Sequence, residues 1–279
     1  MSRRGAQFAL PDSLAARRTF DRAAPAFDSA CVVHDEARLR LLERLDMLRL
    51  TPSVVVDLGS ATGKGAAALT ERYPAARVLA VDASLGMLAA GRARAPSGVA
   101  GDAQRLPLTA GSVQLIFANM VLPWCRPEHL FGEAARVLAE GGLALFATVG
   151  PDTLEQVRRA WAAVDDQVHV HALFDMHDLG DLAAVAGLAE PVIDADRLEL
   201  TYRDAGTMIA DLRACGAINV AAGRRRGLTG PGRWRDFEQA LLAGRRNDGR
   251  FGVTIELILG QAWGTAPLAH RRSGPAVRR

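Results

Sequence analysis

Val54-Val-Val-Asp57-Leu-Gly59-Ser-Ala61-Thr-Gly63-Lys-Gly65 decides how the rest of the chain is read. Three β-branched residues predict a short buried strand, and an acid closes it. A turn punctuated by glycines follows, then a helix-forming run from Lys64 to Tyr73 that Pro74 stops. Strand, glycine loop and helix make the first unit of a nucleotide-binding α/β fold, in which glycine lets the backbone approach a ligand closely.

The spacing separates two ligand classes. A dinucleotide site uses G-x-G-x-x-G, with a pyrophosphate on the helix N-terminus. Here the spacing is G-x-x-x-G-x-G and Asp57 ends the strand. A carboxylate there repels pyrophosphate but suits a cation. S-adenosylmethionine (SAM) has no phosphate and carries an ammonium and a sulfonium, so it is the expected cofactor.

Two further segments point the same way. Arg77-Val-Leu-Ala-Val-Asp82 is a second apolar strand ending in an acid, 25 residues after Asp57. That is where such folds put a carboxylate on ribose hydroxyls. Gly98-Val-Ala-Gly-Asp102-Ala-Gln-Arg-Leu-Pro107 again ends a short strand with an acid. Either acid alone could simply cap the next helix or turn. Three in register fit one nucleoside lying across the strand ends.

Composition bounds the remaining possibilities. The chain has 279 residues, 49% hydrophobic and 23% charged, enough for one large domain or a domain with a cap. No apolar run approaches the ~20 residues of a membrane span, and the start lacks the apolar core of a secretory signal. Cys31, Cys125 and Cys215 are odd in number and scattered, which argues for a reducing, cytoplasmic setting without disulfides. Lys64 is the sole lysine among 34 basic residues. Arginine replacing lysine throughout looks like codon bias, so arginine clusters are discounted as a nucleic-acid signal. At 5% aromatic residues the chain also offers few stacking platforms. No nucleic acid, membrane or metal partner is expected, and the protein is expected to be a monomer.

Residues 1–16 are polar and expected to fray. From Arg17 to Leu50 the pattern is helical, with Leu39, Leu41, Leu42, Leu45 and Leu48 at steps of three to four, predicting a helix that packs on the sheet or roofs the site. Ser112 to Phe117 reads as a strand buried on both faces, with Asn119 at its end. Methyltransferases of nucleic-acid bases follow such a residue with Pro-Pro-aromatic; Asn119-Met-Val-Leu-Pro-Trp124 disfavours that chemistry. A helix over Glu128–Ala139, ended by Gly141-Gly142, precedes a fifth strand, Leu143–Val149. Beyond Gly150, Asp152 is expected to cap a helix to Trp161, and Asp178 and Asp181 to start another over 182–187. Three histidines and three aspartates between His169 and Asp181 match no metal-ligand spacing, so they are expected to face solvent or cap a helix. An extended run over 190–202, an amphipathic helix opened by Asp204, an arginine-rich loop at 223–234 and a final strand over 252–259 follow. From Thr265 the tail is expected to be disordered.

The whole pattern resembles a class I SAM-dependent methyltransferase. Over about residues 17–264 it resembles the malonyl-ACP O-methyltransferase family of biotin synthesis. That resemblance rests on Phe20-Asp-Arg-Ala-Ala-Pro-Ala-Phe27-Asp, Asn119-Met-Val-Leu-Pro-Trp-Cys125, Gly150-Pro-Asp-Thr-Leu154 and Asp175-Met-His-Asp-Leu-Gly-Asp181. It rests further on Leu200-Thr-Tyr-Arg-Asp204, Gly216-Ala-Ile-Asn219, Gly227-Leu-Thr-Gly230 and Val253-Thr-Ile-Glu256 with Gln261-Ala-Trp263. The cofactor motifs are shared by many activities; those of the second half are far more specific.

The resemblance implies a mostly parallel seven-stranded, Rossmann-like sheet with helices on both faces and a helical cap inserted late. The division implied is an N-terminal arm and lid helix over 1–50, a SAM-binding core over 51–150, a cap with the last strands over 151–264 and a tail over 265–279. It implies cofactor contacts at Asp57, Gly59, Ala61, Gly63, Asp82, Met87, Asp102, Ala103, Asn119 and Leu122. Trp124, Phe27 and Arg213 are implied at the acceptor end. The acceptor implied is the free carboxylate of a malonyl thioester on acyl carrier protein, with Arg224, Arg225 and Arg226 available to the acidic carrier. The chain departs from the family at Ala61, a glycine elsewhere, at Phe27, usually tyrosine, and at Pro123, often glutamine. In the family that tyrosine and a basic residue at the position of Arg213 hold the malonyl carboxylate, and phenylalanine cannot donate such a bond. Another small acceptor is one alternative. A non-methyltransferase of the same fold, like the complex I assembly factor linked to arginine hydroxylation, is the other.

Overall fold

The structure, a computed structural model, describes residues 10–266; the rest, including most of the expected tail, lies outside the described residues. Strands β1 (Val54–Leu58), β2 (Arg77–Asp82), β3 (Gly98–Ala100), β4 (Val113–Asn119), β5 (Leu138–Val149), β6 (Ala189–Tyr202) and β7 (Phe251–Trp263) form one sheet in the order 3-2-1-4-5-7-6. The first five are parallel, whereas β7 runs antiparallel to both β5 and β6. The strand order reverses between β1 and β4, so their carboxyl ends open a crevice, the usual ligand position in such sheets.

Alternation within the strands sends side chains to both faces, and both are covered. Val56, Leu58, Ile116 and Phe146 face Leu130, Phe131 and Ala134 of α6 (Pro127–Val137) and Leu179 and Ala183 of α8 (Met176–Val185). Val55, Leu115, Phe117 and Leu145 face Leu69 of α4 (Lys64–Arg72) and Ala37, Leu41 and Leu45 of α3 (Val32–Asp46). A third cluster joins Trp161 of α7 (Glu155–Ala162), Met208 of α9 (Ala205–Ala214) and Phe237 of α10 (Pro231–Leu242) to Phe251 and Val253 of β7. Helix α8 thus packs on the sheet, whereas α7, α9 and α10 share the third cluster with the start of β7. No helix among the described residues is long and apolar enough to cross a membrane.

Several local expectations are corrected. The arm is ordered from residue 10: Asp12 donates its N–H to the Val220 carbonyl at 2.8 Å and caps α1 (Ser13–Ala23). The arm then breaks around Pro25 into α2 (Phe27–Ala30) and α3. Leu39, expected on the buried stripe, is 51% exposed, because Leu41 and Leu45 define the inner face. Helix α6 stops at Val137, since Leu138 is already extended and pairs with Val113; Gly141, at φ +71°, makes an irregularity inside β5 instead of a helix cap. Asp152 pairs with Arg197, and α7 begins after Leu154, whose φ is +59°. Asp175, not Asp178 or Asp181, caps α8 by accepting the His177 and Asp178 N–H groups. His177 is exposed as expected, but His171 is buried against Trp124, their ring centres 5.1 Å apart. Helix α5 (Leu85–Gly91) links β2 to β3.

Candidate active site

The acids at the strand ends converge on one cavity of about 490 Å³ at the β1/β4 crevice. Its lining includes Asp57, Gly59, Ala61, Asp82, Asp102, Ala103 and Asn119, together with Phe27 and Trp124. Gly63, Met87 and Leu122 do not line it. Gly63 caps α4 in the left-handed conformation, Met87 is fully buried beneath the arm beside Phe27, and Leu122 is buried in the core under α6.

Asp82 accepts the Ala61 N–H at 2.8 Å and the Ser84 N–H at 2.7 Å, so one carboxylate shapes both the glycine loop and the turn after β2. Asp102 accepts the Gln104 N–H at 2.9 Å. Both acids therefore organise turns and line the cavity. Ala61 adopts φ +45°, keeping the backbone form that glycine would give. A left-handed alanine costs about 1–2 kcal/mol, partly offset by the greater unfolded-state freedom of glycine. Ala61→Gly is expected to stabilise the protein by about 0.5–1 kcal/mol in denaturant titration; a loss of stability would contradict the strain.

Asp57 Oδ2, Ser60 Oγ and Asn119 Oδ1 are buried without hydrogen-bond partners among the described residues. All three sit at or just beyond the ends of β1 and β4, where an ammonium and hydroxyl-bearing ligand would offset the cost of unpaired polar atoms. Helix α4 begins directly against this carboxyl: a methyl on Gly65 would lie 2.7 Å from Asp57 Oδ2. Burial, then the charge of Asp82, pushes the Asp57 pKa up to about 7, against the pull of the Ala66 N–H and Arg38. In the free protein this group's contribution to stability is complete below the unfolded value near 4 and is lost as pH rises through about 7. A cationic ligand selects the ionised form. Its affinity should rise about tenfold from pH 6 to 7.5 by calorimetry and stay flat in Asp57→Asn.

A second cavity of about 290 Å³ adjoins the first, and His34, Met120 and Trp124 line both. Met120 holds φ +59° just past β4. Trp124, in a short 3₁₀ turn, packs edge-on against Phe20 with centres 4.9 Å apart. Burial pushes both His34 and His171 down to about 4, so the two imidazoles are neutral near pH 7. Tyr202 and Asp211 also line this cavity, and burial, with the Asp211 charge, pushes the Tyr202 hydroxyl up to about 12. Among the described residues no lysine or arginine lines it. Arg213 is exposed on α9 and lines neither cavity, a correction to its expected place. Leu212 and Cys215 mark the inner face at helical spacing, and Arg213 lies one step round.

The arm adds His34 and Asp35, which no quoted motif contains, to Phe20 and Phe27 of the arm motif. Phe20, Phe27 and His34 line the first cavity at seven-residue spacing. The acid after each reaches a cofactor-side loop. Asp21 accepts the Ser84 hydroxyl at 2.7 Å and the Gly86 N–H at 3.0 Å, Asp28 accepts the Thr62 hydroxyl at 2.5 Å, and Asp35 pairs with Lys64 at 2.8 Å. The repeated ring–acid pair was the available signal.

Residues 56–146 match the methyltransferase domain family. The malonyl-[acyl-carrier protein] O-methyltransferase of Gallionella capsiferriformans is 38% identical, covering 96% of this chain and 96% of its own. That of Laribacter hongkongensis is 41% identical, covering 94% and 92%. Among solved structures, the YcgJ protein of Bacillus subtilis superposes with a TM-score of 0.58 at 16% identity, over 82% of this chain and 99% of that one, which speaks for the fold alone. Relatives at this identity over nearly full length, together with acids and partnerless polar atoms at the β1/β4 crevice, place the chain: it belongs to the malonyl-[acyl-carrier protein] O-methyltransferase family of SAM-dependent methyltransferases.

Proposed function

We propose that the protein methylates the free carboxylate of a malonyl thioester on acyl carrier protein, an early step of biotin synthesis, where its two cavities meet. The observation that carries this reading is the wall of His34, Met120 and Trp124, common to the cofactor cavity and the second, largely apolar one. Asp57, Asp82, Ala61 and Asn119 would hold SAM, which supplies an electrophilic methyl on a sulfonium.

A carboxylic acid with a pKa near 4 is already the nucleophile at pH 7, so no general base is needed. The protein's part is alignment and exclusion of water, which together supply several kcal/mol. The neutral imidazoles of His34 and His171 leave the acceptor's charge unquenched, where a guanidinium would bind it and blunt it. Asp211 repels an acid within the same cavity, so charge directs the acceptor towards the Trp124 wall. The exposed Arg225 and Arg226 beside Leu228, which is 94% exposed, supply the surface for an acidic carrier. Labelled methyl from SAM should appear as a base-labile ester on malonyl-ACP, with far less on succinyl-ACP or free malonate. Equal labelling of all three, or of none, would overturn this reading.

A further inference from the structure

The cofactor cavity is electrically divided. Asp57, Asp82 and Asp102 come from strand ends, whereas Arg38 of α3 and Lys64 at the start of α4 line the same space. Both cations reach one carboxylate: Asp35 accepts Arg38 Nη1 at 2.6 Å and Lys64 Nζ at 2.8 Å. Lys64 is also 3.8 Å from Asp28, but Asp28 already holds Arg94 at 2.7 Å and the Thr62 hydroxyl at 2.5 Å. On the cavity lining Lys64 and Arg38 share the one Asp35 carboxylate of the arm, which leaves this wall positive, and the Arg38 charge is also felt by Asp57 across the cavity.

Arg38 is the informative member. Its side chain is only 17% exposed, and among the described residues a single one of its five N–H donors is bonded, to Asp35. A largely buried guanidinium with unused donors is completed by a second carboxylate. Neither Arg38 nor Lys64 lines the second cavity, so an anion bound by them would lie in the first. Arg17, the other cation on that lining, is exposed.

We infer that Arg38, backed by Lys64, forms the seat for the α-carboxylate of the cofactor's amino-acid moiety, with Asp35 holding both cations in place. This rests on the SAM reading above and adds a charge polarity to it: ammonium toward the strand-end acids, carboxylate toward the arm. The seat joins α3 to the first turn of α4, so the arm takes part in binding as well as covering.

The test is calorimetry with S-adenosylhomocysteine and with 5′-methylthioadenosine, a nucleoside thioether that lacks the amino-acid carboxylate. Arg38→Ala should weaken S-adenosylhomocysteine binding about 10- to 30-fold, the loss of one charge-assisted contact. It should leave methylthioadenosine within about twofold, which also shows that the site is folded. Arg38→Lys should recover part of the loss, and Lys64→Met should give a smaller loss of the same selectivity. Equal weakening of both ligands would make Arg38 a structural partner of Asp35 and overturn the seat. An unchanged affinity for both would overturn it too, as would a raised KM for malonyl-ACP with unchanged S-adenosylhomocysteine binding, which would assign the guanidinium to the acceptor. Wild-type protein that binds neither nucleoside would instead sink the SAM reading itself, and the seat with it.

Discussion

Asp82→Ala is expected to weaken S-adenosylhomocysteine binding by more than about 100-fold, the largest single-residue effect on the cofactor. The carboxylate holds two backbone N–H groups, one from the glycine loop and one from the turn after β2. Each bond to a charged acceptor is worth about 1.5–3 kcal/mol, and two exceed the ~2.8 kcal/mol of a hundredfold change before any ligand contact is counted. Burial raises the Asp82 pKa, and Asp21 nearby adds to the rise, so the site maintains this carboxylate against a cost. Asp102→Ala should lose tenfold at most, because Asp102 is exposed and its bonds stay within its own turn to Gln104. Comparable losses for the two variants would show that the acids are not ranked by their backbone partners.

Trp124→Ala should lower kcat about 100-fold while changing cofactor affinity less than about fivefold, because misplacement near the reacting atoms costs on that order. The indole touches Phe20 on one side and His171 on the other, and it lines both cavities. Removing it widens both and admits water. Trp124 is only partly buried, so the stability cost should fall below the ~3–5 kcal/mol of a fully buried tryptophan. Trp124→Phe should retain most of the rate. A kcat unchanged in Trp124→Ala would remove the indole from the reaction.

The cofactor half was legible because a polar residue that ends a buried apolar strand has few explanations. Asp57, Asp82 and Asn119 announce themselves within six or seven residues, and local sequence encodes their place at the strand ends. The arm was less legible. Asp21, Asp28 and Asp35 act through partners 65, 34 and 29 positions away in Gly86, Thr62 and Lys64, so no local window contains both halves of a contact. Arg213 shows a different limit: one residue of helical rotation decides between cavity and solvent, and motif position does not fix rotation. Gly63, Met87 and Leu122 lie within the right motifs yet face the core or a neighbouring helix, since a motif marks a segment and not the direction of each side chain. The left-handed Ala61 was invisible for another reason. Hydrogen bonding by Asp82 imposes that backbone form, whereas alanine's own preference runs against it.

The most direct test is a crystal structure with S-adenosylhomocysteine and a malonyl-pantetheine thioester bound together. The thioether sulfur should lie against the wall of His34, Met120 and Trp124, with the malonyl carboxylate facing it from the second cavity. A sulfur turned away from that wall, or a malonyl group entering from the side of Asp102, would contradict this arrangement.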